Sequence, residues 1–310
     1  SSSHLPSFSR MRCALISIVA VAALRVPSQS SPPRARVGRR QSLGLAAGFT
    51  ALSVLREPLA AAAAEGGASA QKVVVAGATG QTGRRVLERL AQRGGLAVVG
   101  GVRNPDKAEK DLASSSVTVR GAMVQNVAAV DLSSVTLAKL DVVKNSVDEL
   151  AATLKGADAL VIATGFVPGN PLSMGKEAHA VDNLGTMALV DAAKAAGVRK
   201  VVLVSSILTN GRAWGQENSP GFVVTNAFGG VLDEKIVAEK YLRASGLDYT
   251  IVRPGGLKAT PPSGTLVVAS EDTLNSGEVL HPIPPHTRPT CALSGWRTGA
   301  RACCLLLGFR

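Results

Sequence analysis

Lys72-Val73-Val74-Val75-Ala76-Gly77-Ala78-Thr79-Gly80-Gln81-Thr82-Gly83 is the stretch whose reading decides the fold. Residues 72–76 form a short apolar run rich in valine, the pattern of a strand buried on both faces. Arg84–Gly94 follows, with Val86, Leu87 and Leu90 on one face of a helix. Strand, glycine-rich turn and helix start come in the order that a phosphate-binding loop requires. Gly77 lets the chain turn out of the strand. Gly80 removes a Cβ where a pyrophosphate would approach, and Gly83 lets the helix pack closely on the strand. Thr79, Gln81 and Thr82 complete the loop, and the helix start would offer N–H groups to the phosphate charge. The spacing is G-x-x-G-x-x-G, not the commoner G-x-G-x-x-G.

The second strand bears on the cofactor. Leu96–Val102 is apolar and ends at Arg103. About 20 residues after the glycines, an NAD-binding protein usually places an acid for the ribose 2′-hydroxyl. A guanidinium there would pair with a 2′-phosphate instead. The sequence therefore predicts NADP(H) in preference to NAD(H). The plainer reading of Arg103 is an exposed arginine in the polar loop Arg103–Lys107.

The chain then alternates. Leu137–Leu140 is a strand leading into Asp141-Val142, where Asp141 would accept from an adenine amino group or cap the helix Ser146–Leu154. Ala159–Ala163 is a strand ending at Thr164-Gly165. Val181–Ala196 is a helix closed by Gly197. Lys200–Val204 is a strand ending at Ser205-Ser206, Asp233–Ser245 a helix, and Tyr249–Val252 a strand before Arg253. Strands alternating with helices predict an α/β fold, a Rossmann-type doubly wound parallel sheet. Ligand contacts then gather at the carboxyl ends of the strands, which places Ala163, Thr164 and Gly165 beside the glycine loop.

Composition narrows the function. The net charge is +12, yet residues 71–280 carry 22 basic and 20 acidic side chains; the excess lies at the two ends. Nucleic-acid binding has little electrostatic support in the middle of the chain. Cys13, Cys291, Cys303 and Cys304 all lie outside residues 71–280, so no disulfide framework or metal site is expected in the domain.

Residues 1–64 read as an address. Met11 and Arg12 precede the apolar run Cys13–Leu24, the shape of a secretory signal. Arg34, Arg36, Arg39 and Arg40 precede the apolar stretch Leu43–Leu55, and Ala60–Ala64 supplies cleavage choices. Acid-free, Arg- and Ser-rich residues 25–42 fit a transit peptide, and Arg39-Arg40 a twin-arginine signal. In series these resemble the layered targeting of algal plastids, with stroma and thylakoid lumen both open as end points. No membrane span is expected in the mature chain.

Together, Gly77–Gly83, Arg103, Asp141-Val142, Ala163-Thr164-Gly165, Val181–Thr186, Val202–Ser206, Lys235–Glu239 and Tyr249–Leu257 carry a resemblance. The chain resembles atypical short-chain dehydrogenase/reductases, on their NmrA-like NAD(P)-binding branch, in its chloroplast-type form, over about residues 71–279. The resemblance implies a Tyr four residues before a Lys, the Tyr moving a proton during hydride transfer. Lys235 is in place, but Val231 stands where that tyrosine belongs, and Asp182 where many relatives have Asn. Lys235 would hold the nicotinamide ribose, or be an ordinary helix lysine. Ser205 would polarise a substrate carbonyl, or merely cap its strand. Arg253 would bind an acidic ligand or brace its turn. Gly165–Lys176 and Ile207–Phe228 are expected to line the substrate pocket.

From His281 no periodicity is legible, so residues 280–310 read as an irregular tail. The tail would be a natural extension or a misread gene, and in the latter case the sheet lacks its last elements. Three functions compete: a plastid reductase of a quinone, flavin or tetrapyrrole, a non-catalytic NADP(H) sensor that docks on a protein partner, and RNA binding. NADPH oxidation separates the first two, and salt-sensitive RNA binding would revive the third.

Overall fold

The computed structural model describes residues 70–307, apart from 115, 120–122, 127–128, 259–265, 275–277 and 281–300. The proposed presequence lies outside the described residues.

Strand β1 (Gln71–Ala76) runs parallel to β2 (Leu96–Val102) on one side and to β6 (Ala159–Ile162) on the other. Beyond β2 lies β5 (Val135–Lys139), and beyond β6 lie β7 (Lys200–Val204) and β8 (Asp248–Pro254), all parallel. The chain thus builds outward from β1 in one direction, then returns to β1 and builds in the other. The reversal falls between β1 and β6, and a crevice opens at the carboxyl ends of strands where the order reverses.

Alternation along β1 shows why both faces are covered. Val73 and Val75 join one apolar cluster with Val86, Leu87 and Leu90 of α1 (Gln81–Arg93) and Leu112 of α2 (Pro105–Ala113). Val74 and Ala76 join the opposite cluster, with Leu150 and Leu154 of α3 (Val147–Leu154). Leu189 and Val190 of α5 (Gly185–Ala195) and Leu242 of α7 (Val231–Ala244) complete that face. Successive residues of a strand point to opposite faces, so a run apolar at every position is what a two-sided core demands.

Several elements depart from the sequence reading. Arg103–Lys107 is not simply a loop: Asn104 Oδ1 accepts from the Lys107 amide at 3.0 Å and starts α2, with Pro105 in the first turn. The helix expected from Val181 begins earlier. Its first part, α4 (Met174–Ala178), runs into a π-helical turn, His179–Leu184, before α5. A short α6 (Pro220–Asn226), capped by Ser219, fills the segment before α7. Asp141 does not cap α3. Ser146 does so, in a reciprocal pair with Glu149, which accepts from the Ser146 amide at 2.8 Å. The chain also contains the hairpin of β3 (Ser116–Val119) and β4 (Met123–Asn126), and β9 (Gly256–Lys258) paired with β11 (Glu278–Leu280).

The expectation of an irregular tail is corrected over residues 301–307. They form β12 (Arg301–Leu307), parallel to β8 and antiparallel to β10 (Leu266–Ala269). Among the described residues the main sheet therefore has eight strands, in the order β10-β12-β8-β7-β6-β1-β2-β5. Residues 281–300 lie outside the described residues.

Candidate functional site

The glycine turn sits at the crevice between β1 and β6. Gly77 has a φ of +78°, a conformation that side chains disfavour, and a Cβ there would come within 2.8 Å of the Ala163 carbonyl oxygen. The two strand ends touch at this point. A Cβ on Gly83 would overlap the Gly77 carbonyl oxygen, so Gly83 keeps the helix against the turn. Gly80 is less constrained by its surroundings; a Cβ there would meet the Gly77 oxygen at 3.3 Å. Gly80 is the residue before α1 and no side chain caps that helix end, whose first turn holds no acid. Thr79, Gln81 and Thr82 are part-buried around it. An uncapped, acid-free helix start beside a glycine turn is suited to an anion.

Arg84, next in sequence, is turned away from this end. It is buried, and its guanidinium donates to the carbonyls of Asp111 at 2.7 Å, Leu112 at 2.9 Å and Ser114 at 2.5 Å. It closes the carboxyl end of α2. Arg103 is different. It lies at the end of β2, exposed, and makes no hydrogen bond or ion pair among the described residues.

At the end of β5, Asp141 is buried. Its Oδ1 accepts from the amides of Val143 at 3.1 Å and Lys144 at 3.3 Å, holding its own turn. Its Oδ2 makes no hydrogen bond among the described residues. Val142 packs on α5, where a Cβ on Gly185 would meet its Cγ2 at 2.7 Å. At the end of β6, Thr164 Oγ1 is buried with no hydrogen-bond partner among the described residues. Gly165 follows, exposed.

The opposite wall is built by the π-helical turn and the first turns of α7. Asp182 is buried. Its Oδ2 accepts from the Phe166 amide at 3.1 Å, and its Oδ1 faces Lys235 Nζ at 2.7 Å. Lys235 is therefore no ordinary solvated lysine, since its side chain is only 18% exposed. Beside this pair, Asn183 Nδ2 donates to Glu234 Oε2 at 2.6 Å, and His179 Nδ1 meets the same oxygen at 2.9 Å. Asn183 Oδ1 is buried with no partner among the described residues. Sequence reasoning missed His179 and Glu234 and gave Asn183, within the motif Val181–Thr186, no role of its own. The sequence signal for His179 and Glu234 was their proximity to Asp182 and Lys235.

Ser205 lies at the end of β7, buried, its hydroxyl 3.3 Å from that of Thr209. Val231, where the tyrosine would stand, is buried with Ala178, Leu208 and Phe222. Arg253 does not reach the crevice as a free cation. It donates to Glu239 Oε1 at 2.9 Å and Oε2 at 2.5 Å and to Asp272 Oδ1 at 2.8 Å, so it braces β8 against α7 and the 270–273 turn. The polar groups of the crevice fit a dinucleotide. The uncapped helix start suits its pyrophosphate, and the unpartnered Thr164 and Asn183 oxygens lie on the far strand and the facing turn.

The family described as NAD(P)H-binding matches at residues 77–143 and 121–281. The chain belongs to the NAD(P)H-binding family. An uncharacterized chloroplastic protein of Arabidopsis thaliana is 43% identical over 70% of this chain and 70% of its own length. The chloroplastic protein TIC 62 of Pisum sativum is 34% identical over 67% of this chain, a match that spans only 37% of TIC 62. Among solved structures, ChuY, an anaerobilin reductase from Escherichia coli O157:H7, superimposes with a TM-score of 0.51. That match covers 76% of this chain and 97% of ChuY at 22% identity, and it shows the fold alone. This NAD(P)H-binding chain has a Rossmann-like α/β fold. Among the described residues, no helix is long and apolar enough to cross a membrane.

Proposed function

We propose that the chain is an NADP(H)-dependent reductase of a small acceptor, of the quinone, flavin or tetrapyrrole class, working in the plastid. The observation that carries the reading is Arg103. It is a solvent-facing guanidinium without a partner among the described residues, one strand from the glycine turn. A 2′-phosphate there gains a bidentate partner, and no carboxylate closes the position to it.

The remaining assignments follow the crevice. Gly77, Thr79, Gly80, Gln81, Thr82 and Gly83 hold the pyrophosphate. Asp141 and Val142 take the adenine, and Ala163, Thr164 and Gly165 the nicotinamide half. Lys235 holds the nicotinamide ribose and Ser205 faces the acceptor. When bound, the nicotinamide supplies hydride; the protein's part is to orient it and exclude water. Support for the reductase reading comes from sanguinarine reductase of Eschscholzia californica, 26% identical over 65% of this chain. Chloroplastic relatives support the plastid.

A second reading has its own observation. Val231 fills the tyrosine position with an apolar, buried side chain, which favours a non-catalytic NADP(H) sensor docking on a plastid protein.

Titrating the full chain with NADPH and NADH by fluorescence tests the cofactor, with Arg103→Asp and Gly80→Val as controls. NADPH binding that weakens in Arg103→Asp is the expected result; equal affinity for both nucleotides would remove NADP(H) preference. NADPH oxidation with quinone or flavin acceptors then favours the reductase, and binding without oxidation favours the sensor.

A further inference from the structure

We propose that His179 is the proton donor of this site, with Glu234 as the residue that positions it. The inference rests on the reductase reading above.

The shorter contact of the imidazole assigns its hydrogen. Glu234 Oε2 already accepts from Asn183 Nδ2 at 2.6 Å and lies 2.9 Å from His179 Nδ1, while Asn183 Nδ2 is 3.5 Å from that nitrogen. A carboxylate oxygen only accepts, so the close Glu234 contact is made with the hydrogen on Nδ1. The second nitrogen, Nε2, then points away from the carboxylate and makes no hydrogen bond among the described residues. A carboxylate behind one ring nitrogen with the other left open is how a histidine is held for acid–base work.

Location supports the role. Asp182–Lys235 and Asn183–Glu234 are neighbouring rungs between the π-helical turn and α7. His179 lies one turn before Asn183. Ala178, its neighbour, shares an apolar cluster with Val231. His179 thus stands beside the first turn of α7, at the level of the apolar Val231 and one turn from Lys235. The π-helical turn brings these groups together, and such turns collect at functional sites. Asn183 Oδ1, buried and unpartnered, gives the same wall a second polar atom for a ligand. With its side chain 49% exposed, His179 can be refilled with a proton from water.

With bound NADPH as the two-electron reductant and source of hydride, His179 would supply the balancing proton, from Nε2 of the imidazolium to the acceptor oxygen. The neutral imidazole left behind keeps Nδ1–H on Glu234 and is reprotonated by water.

The test uses the full chain. Nitrogen-15 NMR of the histidine side chains, with His179 assigned through His179→Ala, is expected to show neutral His179 protonated on Nδ1. That preference should be lost in Glu234→Gln. A neutral imidazole protonated on Nε2 in the wild-type protein overturns the arrangement. In stopped flow with NADPH and a soluble ortho-quinone, His179→Ala is expected to slow one turnover about 100-fold at unchanged NADPH affinity. Added imidazole should restore the rate, which a structural role would not permit. Equal rates in wild type and His179→Ala, or slowing that imidazole does not rescue, sink the proton-donor role alone. Wild-type protein that binds NADPH but reduces no quinone sinks the reductase reading, and the proton-donor role with it.

Discussion

Lys235 of α7 and Asp182 of the π-helical turn face each other at 2.7 Å, although 53 positions separate them in the chain. The aspartate side chain has no exposure to solvent. Removing the lysine alone would strand a buried charge. Lys235→Met is expected to cost up to about 3 kcal/mol, less than for a fully buried pair because the lysine keeps some exposure. The double variant Asp182→Asn with Lys235→Met should recover most of it. Urea denaturation of the two variants checks this, and a double variant no more stable than the single one would mean that the pair is not coupled.

The two later glycines of the turn should behave differently. Gly83→Ala puts a methyl group into the Gly77 carbonyl, and the backbone cannot yield there. A loss of about 1–3 kcal/mol or more is expected, with nucleotide binding lost as well. Gly80 has an ordinary φ of −68° and meets the same oxygen at 3.3 Å. Gly80→Ala should fold nearly normally, so any fall in its NADPH affinity reports crowding of the ligand. Thermal melts paired with NADPH titration separate the two effects.

Arg253 and Glu239 form the most deeply buried ion pair among the described residues, with side-chain exposures of 2% and 0%. Arg253→Met leaves Glu239 without this partner and is expected to cost about 3–5 kcal/mol. Strands β7 and β6 lie between β8 and the β1 that leads into the glycine turn, so whatever protein remains folded should bind NADPH with unchanged affinity. A large affinity loss in folded Arg253→Met would restore this arginine as a ligand contact.

The cap of α3 gives a pH dependence. The Ser146 amide, hydrogen-bonded to Glu149, holds the Glu149 carboxyl below its ordinary range. A folded-state value below the unfolded one means that the contribution is present above roughly pH 4.3 and fades as pH falls through the folded value. The melting temperatures of wild type and Glu149→Gln should therefore differ at neutral pH and converge in acid. Ser146→Ala is expected to cost about 1 kcal/mol at neutral pH. A gap that persists unchanged in acid would show that Glu149 does not act through its charge.

The sheet was legible wherever burial was two-sided. Val73–Ala76, Ala159–Ile162 and Val201–Val204 are buried throughout, and unbroken apolar runs announce them. Helix α2 was missed because PDKAEKDLA buries only Ala108 and Leu112, too few to set a period. Strand β12 was missed because its partner residues lie about 50 positions upstream, at 250–254. In the site, the glycine turn could be read from local spacing, and Lys235 from the family resemblance. The fate of Arg253 could not, since Glu239 and Asp272 reach it from different elements. Nor could the His179–Glu234 contact, which depends on how two helices pack and on a turn wider than α-helical.

That wide turn makes chain length matter on what otherwise looks like a tolerant helix surface. Each residue of an α-helix advances the chain by roughly 100°. A π-helical turn absorbs one residue more than an α-helical one, so α4 and α5 are out of phase with a single unbroken helix. Deleting one residue between His179 and Leu184 would let the helix wind regularly and keep α4 and α5 nearly in phase, but it would remove the wide turn and re-aim the side chains within it by up to about 100°. Asp182 and Asn183 could then no longer both face α7. At this place an insertion or deletion should be more damaging than most substitutions, because the count of residues, more than their identity, sets which side chains meet.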